Sequence, residues 1–129
     1  MSLNNLKKQI LDTFDNPQLK DDYLINMRIN EFTCLCPLTG QPDFAEFSID
    51  YVPDKLCVEL KSLKLYMASY RDEGAFHEDV TNRILNDICQ LIKPKCTILI
   101  GYWKIRGGIT TTVTTKYYKK GWKDINKLV

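Results

Sequence analysis

The chain has 129 residues, a formal net charge of +2, 44% hydrophobic residues and 26% charged residues. That is enough material for one domain with a single modest core, and the small charge gives no reason to expect nucleic-acid binding. No apolar run approaches the roughly 20 residues of a membrane-crossing helix. The opening Met1-Ser2-Leu3-Asn4-Asn5-Leu6-Lys7-Lys8 lacks the features of a secretory signal, so a cytoplasmic protein with no membrane partner is expected.

Leu3, Leu6, Ile10 and Leu11 follow helical spacing. Residues 1–22 therefore read as a short amphipathic helix or, because so short a helix is marginal alone, as a loosely attached arm. Asp15-Asn16-Pro17 marks a break. Residues 23–34 alternate, with Ile25, Met27 and Ile29 on one face and Asn26, Arg28 and Asn30 on the other, as in a half-buried strand. Pro37, Gly40 and Pro42 impose an irregular loop. Alternation then resumes, with Ala45, Phe47, Ile49 and Tyr51 facing one way and Glu46, Ser48 and Asp50 the other. Two antiparallel strands joined by this loop are predicted.

Residues 57–60 read as a short extended piece feeding a helix whose stripe is Leu60, Leu63, Met67 and Tyr70. Lys61 and Lys64 share a flanking face, and Glu73-Gly74 ends the helix. A second helix is predicted from about Phe76 to Ile92, with Val80, Ile84, Ile88 and Ile92 buried and with Glu78 and Asp79 complementing its N-terminal dipole. Pro94 closes it. Residues 96–103 form a buried strand, Arg106-Gly107-Gly108 a turn, and residues 109–117 a Thr-rich strand. The order strand, strand, helix, helix, strand, strand is an α+β domain with an antiparallel sheet and helices on one face. The other face needs cover. Phe44, Phe47, Tyr51, Tyr102 and Trp103 place bulky residues on both sides of the sheet, which favours self-association. The domain divides into residues 1–22, a core of 23–117, and a tail of 118–129. The basic, aromatic stretch Lys116-Tyr117-Tyr118-Lys119-Lys120-Gly121-Trp122-Lys123 reads either as a phosphate-and-base contact or as a solvated, partly packed terminus. The second is the commoner fate, and no direct nucleic-acid partner is expected.

Five cysteines (34, 36, 57, 89 and 96) cannot all pair within the chain, which favours free thiols in a reducing compartment. There is no Cys-x-x-Cys and His77 is the single histidine, so no metal site is expected. Cys36 stands at a strand-to-loop junction before Pro37. Such a place can expose a thiol, although the local sequence alone favours a small buried hydrophobe. Asp43 lies seven positions on, beside Phe44. It is either a general acid in apolar surroundings or a turn cap. His77 reads as a proton shuttle and Glu78 as a dipole partner. Lys61 and Lys64 are either a phosphate grip or solvated.

Together these residues match a family. Phe32-Thr33-Cys34-Leu35-Cys36-Pro37-Leu38-Thr39-Gly40-Gln41-Pro42-Asp43-Phe44-Ala45 and Glu59-Leu60-Lys61-Ser62-Leu63-Lys64-Leu65-Tyr66, then Phe76-His77-Glu78-Asp79 and Arg106-Gly107-Gly108, resemble the NADPH-dependent 7-cyano-7-deazaguanine reductases, nitrile reductases of the queuosine pathway of tRNA modification. The chain resembles their short, single-module form. The resemblance implies a tunnelling fold whose units assemble into barrel rings, a decamer of two pentamers, with active sites between subunits. It implies that Cys36 is the nucleophile, adding to the nitrile carbon to give a covalent thioimide, and that Asp43 is the proton donor. Val58, Glu59 and Leu60 would line the base pocket, Glu78 would hold the donor edge of the base, and His77 would stand near the reacting nitrogen. Lys61, Ser62 and Lys64, with Arg106 and Gly107, would face the phosphates of NADPH. At Leu60 some family members carry Ser, whose hydrogen bond would be missing here. Two other readings are an amidinotransferase-like relative, which shares the thioimide but not the NADPH block, and a non-catalytic purine- or pterin-binding member of the fold. The Lys61-Ser62-x-Lys64 run favours the reductase.

Overall fold

The computed structural model describes residues 3–129, with side chains from Leu6 onward. Its elements are α1 (Leu3–Lys8), β1 (Thr13–Asp15), β2 (Ile25–Leu35), β3 (Pro42–Val52), β4 (Leu56–Val58), α2 (Leu60–Ala68), α3 (His77–Ile92), β5 (Cys96–Arg106) and β6 (Ile109–Tyr118). The four long strands form one antiparallel sheet in the order β2-β3-β5-β6. The expected strand, strand, helix, helix, strand, strand order is therefore present. One addition was not foreseen: β1 and β4 make a separate two-stranded ribbon. At three residues each, neither strand is long enough to show a period.

The alternation along β3 translates directly into packing. Ala45, Phe47, Ile49 and Tyr51 are all buried, in one core with Val80, Ile84, Ile88 and Ile92 of α3, which are almost wholly enclosed. The helix closes at Lys93, whose φ of 47° turns the chain before Pro94 and lets its N–H donate to Cys89 O at 3.0 Å. In β2 the reading holds only in its first half. A bulge between Ile29 and Phe32 inserts an extra residue, so the buried face passes from Met27 to Phe32 and Cys34. That parity change decides which side of the strand end meets the core.

Helix α2 stops at Ala68, earlier than Glu73, and Leu60 at its start is exposed while Leu63, Tyr66 and Met67 are buried. The hairpin of β5 and β6 turns on Gly107 and Gly108, both with positive φ (57° and 78°), as a two-residue type I′ turn requires. In mid-strand, Gly101 makes room for the aromatic core. An added Cβ would lie 2.9 Å from Phe47 Cε1, 3.0 Å from Trp103 Nε1 and 3.1 Å from Thr81 Oγ1. Gly101→Ala should therefore destabilise the fold by about 1–3 kcal/mol through overpacking, seen as a lower denaturant midpoint at unchanged slope.

The tail is partly packed. Trp122 stacks on Tyr118 and donates its indole N–H to Asp22 Oδ2 at 2.9 Å. No helix among the described residues is long and apolar enough to cross a membrane.

Candidate active site

The chain between β2 and β3 is a tight loop closed by its own backbone. Cys36 N–H donates to Gln41 O at 2.8 Å, Gly40 N–H donates back to Cys36 O at 2.9 Å, and Gly40 takes φ 74°. This closure turns the hydroxyl of Thr39 and the amides of Thr39 and Leu38 toward the Cys36 sulfur. These donors hold its thiol below the ordinary range, against the opposing influence of partial burial and of the nearby Asp43 charge. Two residues back in the same strand, Cys34 is fully enclosed, and burial pushes its thiol up to about 12. Burial likewise raises Cys89 and Cys96. Cys36 moves the other way from these three. The structure thus separates one thiol from its neighbours on a physical ground that composition and spacing did not contain.

Replacing Thr39 by Val should raise the Cys36 thiol toward the usual value. A depressed pKa keeps thiolate present at lower pH, so losing the donor should slow iodoacetamide alkylation of Cys36 at pH 7 by about three- to tenfold. The deficit should vanish at alkaline pH, where both proteins are ionised. Peptide-resolved mass spectrometry across a pH series reads this directly.

Asp43 enters β3 opposite Cys34, and its side chain is only 8% accessible. Both carboxyl oxygens are engaged. Oδ2 lies 3.3 Å from His77 Nε2, and Oδ1 lies 3.1 Å from Arg106 Nη1, whose Nη2 also donates to Pro42 O at 3.1 Å. His77, the first residue of α3, is set by Trp103: the two rings stack at 4.0 Å with planes 3° apart. Trp103 Nε1 donates to Thr81 Oγ1 at 3.4 Å, and that hydroxyl donates to His77 O at 2.7 Å. Sequence reasoning treated Trp103 as strand filling and did not single out Thr39. The available signal for Trp103 was a glycine two residues earlier on the same strand face, which leaves space for a large ring.

A second group gathers at the start of α2. Glu59 caps the helix, with Oε2 accepting from Lys61 N–H at 2.6 Å and Oε1 from Ser62 N–H at 2.9 Å. These two amides hold its carboxyl below the usual carboxylate range. Ser62 is buried. Its hydroxyl donates to Glu59 O at 2.7 Å and accepts from Asp12 N–H at 2.9 Å, so it is committed within the chain. Val58 is buried and its N–H donates to Tyr51 Oη at 3.1 Å. Leu60, Lys61 and Lys64 are exposed, as is Glu78 in the first turn of α3.

Asp43 thus holds His77 on one oxygen and Arg106 on the other, near Cys36, while Val58 to Lys64 form a separate cluster. Arg106 pairs with Asp43, and Gly107 lies in the turn that follows it. A groove of about 840 Å³ lies between β2 and α2, floored by Met27, Phe32, Leu63 and Met67. Arg28, Lys64, Arg71 and Lys104 contribute cations to its lining. With Glu31 as the one anion in the lining, an apolar floor edged by four cations could hold a dinucleotide, the cations supplying charge for its phosphates.

Comparisons with known proteins place the chain among its relatives. The family profile described as QueF-like protein matches residues 42–122. The chain is 60% identical over 113 residues to the NADPH-dependent 7-cyano-7-deazaguanine reductase of Nitrosomonas europaea, covering 88% of this chain and 81% of the relative. It is 58% identical over 119 residues to the reductase of the same name from Nitrosococcus oceani, covering 92% of each. Among solved structures, the apo crystal structure of the archaeosine synthase QueF-Like superposes with a TM-score of 0.69 at 20% identity, covering 75% of this chain and 95% of that one. That last likeness speaks for the α+β fold alone. Identity at this level across nearly the full length places the chain in the family of NADPH-dependent 7-cyano-7-deazaguanine reductases.

Proposed function

We propose that this chain reduces the nitrile of 7-cyano-7-deazaguanine to the 7-aminomethyl product in queuosine biosynthesis, with Cys36 as the nucleophile and Asp43 as the proton donor. Family membership carries the reaction. The observation that carries the assignment of Cys36 is its depressed thiol beside a carboxyl whose two oxygens are held by separate partners.

The Cys36 thiolate adds to the nitrile carbon while the nitrile nitrogen takes a proton from Asp43, giving a neutral thioimide. His77, on Oδ2 of Asp43, is placed to return that proton between steps, and its stack on Trp103 fixes the ring for the transfer. NADPH, when bound, supplies hydride; nitrile to primary amine is a four-electron change, so two equivalents are consumed in sequence. Expulsion of the Cys36 thiolate after the first reduction leaves an imine, which a closed site must keep from water. Glu78 is read as the partner of the donor edge of the base, with Val58, Glu59 and Leu60 along its pocket. Lys61 and Lys64, on either side of Ser62, with the turn of Arg106 and Gly107 and the cations of the groove, are read as the cofactor side.

We also read residues 1–129 as a single tunnelling-fold module that assembles into barrel rings, a decamer of two pentamers in the cytoplasm. Two features support a ring. The sheet ends in the long edge strands β2 and β6, which invite pairing with another copy. Phe44 and Tyr102 are exposed on the sheet at 54% and 44%. The separation of the Cys36 cluster from the α2 cluster also suits a site completed by a neighbouring subunit.

The test uses the full chain with 7-cyano-7-deazaguanine and no NADPH. A covalent adduct of the substrate's mass on the Cys36 peptide is expected, discharged when NADPH is added. Tight binding with no adduct on any cysteine would instead favour the non-catalytic reading.

A further inference from the structure

The nucleophile loop is held from outside as well as by its own hydrogen bonds. Where β2 ends, Leu35 N–H donates to Glu73 O at 2.9 Å and Leu35 O accepts from Ala75 N–H at 3.0 Å, so the corner between α2 and α3 forms a parallel bridge to the last residue before Cys36. Between those two bonds lies Gly74. Its φ is outside the positive region, so backbone strain does not demand glycine there. Proximity does: a Cβ at residue 74 would lie 3.3 Å from Pro37 Cα and 3.7 Å from Pro37 Cβ, so the proline would have to give by a few tenths of an ångström. Pro37 precedes Leu38 and Thr39, whose amides approach the sulfur. The corner is anchored in turn, since the Glu73 carboxylate takes Arg83 Nη2 at 3.1 and 3.2 Å and lies 3.8 Å from Lys7 Nζ.

We propose that Glu73 and Gly74 are positioning residues for the reacting thiol: the corner they form braces Leu35 and Pro37, and so aims the Leu38 and Thr39 amides at the Cys36 sulfur. The brace touches neither substrate nor cofactor. It acts on the segment that carries the Thr39 hydroxyl and the Thr39 and Leu38 amides to the Cys36 sulfur. This inference rests on Cys36 being the nucleophile, and the experiment separates the two.

In Gly74→Ala, Pro37 shifts while the fold around it persists. Thioimide formation from 7-cyano-7-deazaguanine at pH 7 should slow by roughly tenfold, the scale expected for a sub-ångström misplacement. The midpoint of the pH profile for iodoacetamide alkylation of Cys36 should rise by about one pH unit, with KM for NADPH unchanged. Glu73→Ala frees the anchor without adding atoms near the loop. It should move the same two readouts in the same direction by a smaller factor, and it decides the matter if Gly74→Ala does not fold. A merely structural corner would lower the melting temperature and leave the alkylation midpoint of the folded protein where it was. Folded Gly74→Ala, or Glu73→Ala in its stead, with wild-type alkylation midpoint and wild-type adduct rate overturns the proposal. Absence of any Cys36 adduct in the wild-type protein overturns the assignment of the nucleophile instead, and the alkylation profiles still report on the brace.

Discussion

Cys36→Ala should abolish turnover, with kcat lower by more than about a thousandfold, and no substrate adduct should form at any pH. The reasoning is chemical. Without a thiolate there is no thioimide, and an unactivated nitrile is a poor hydride acceptor. The four other cysteines cannot substitute. Cys34, Cys57 and Cys96 are buried, and Cys89 is raised by its surroundings. Stability should barely change, because Cys36 lies half-exposed in a loop and such positions usually stay within about 0.5 kcal/mol. A melting curve matching the wild type, beside a dead enzyme, distinguishes loss of chemistry from loss of fold. Retained NADPH consumption in this variant would rule out covalent catalysis through Cys36.

The second large effect is expected of Asp43→Asn. The amide keeps the shape of the side chain and can still accept a bond from Arg106 or His77, but it cannot deliver a proton to the nitrile nitrogen. Thioimide formation should fall by about 10²–10⁴-fold, the usual worth of a positioned general acid, yet the adduct should still appear slowly because the Cys36 thiolate remains. That slow appearance is the distinguishing mark. Rapid adduct formation with only the later reductions impaired would move Asp43 from proton donor at addition to a role further along. The partner contacts also matter for where the proton comes from: His77 and Arg106 occupy different oxygens of the carboxyl, and an imidazole, unlike a guanidinium, can both give up a proton and take one back.

Much of this architecture was legible because the core follows simple periods. The 2-residue period of β3 and the helical stripe of α3 each name residues that prove to be buried. Reading failed where the period breaks for a local reason. The bulge after Ile29 reverses the parity of β2, and without it Phe32 and Cys34 would face away from the core. The ribbon of β1 and β4 exists through pairing between segments far apart in sequence, which no local window contains. Helix α2 ends at Ala68 although its apolar spacing continues to Tyr70, which is still buried beyond the helix and shares a 2.8 Å hydroxyl contact with Tyr66.

The site was harder for a similar reason. Residue types and the family resemblance picked out Cys36, Asp43 and His77. Their relation, though, comes from β2, β3 and α3 meeting at one end of the sheet. The resemblance assigned Arg106 to the cofactor side, and the β5–β6 hairpin also brings its guanidinium to Asp43, a pairing the sequence does not show. Glu59, read as lining a base pocket, also caps α2 with its carboxylate in the folded chain. Capping of this kind depends on where the helix starts, and the sequence leaves helix starts uncertain by a residue or two.

Hydride accounting tests the central claim most directly. With purified protein and a limiting amount of 7-cyano-7-deazaguanine, loss of NADPH absorbance should stop at two cofactor molecules oxidised per nitrile, with the aminomethyl base as the sole product. No NADPH oxidation under these conditions, with the nitrile recovered intact or converted to an amidine, would contradict the account.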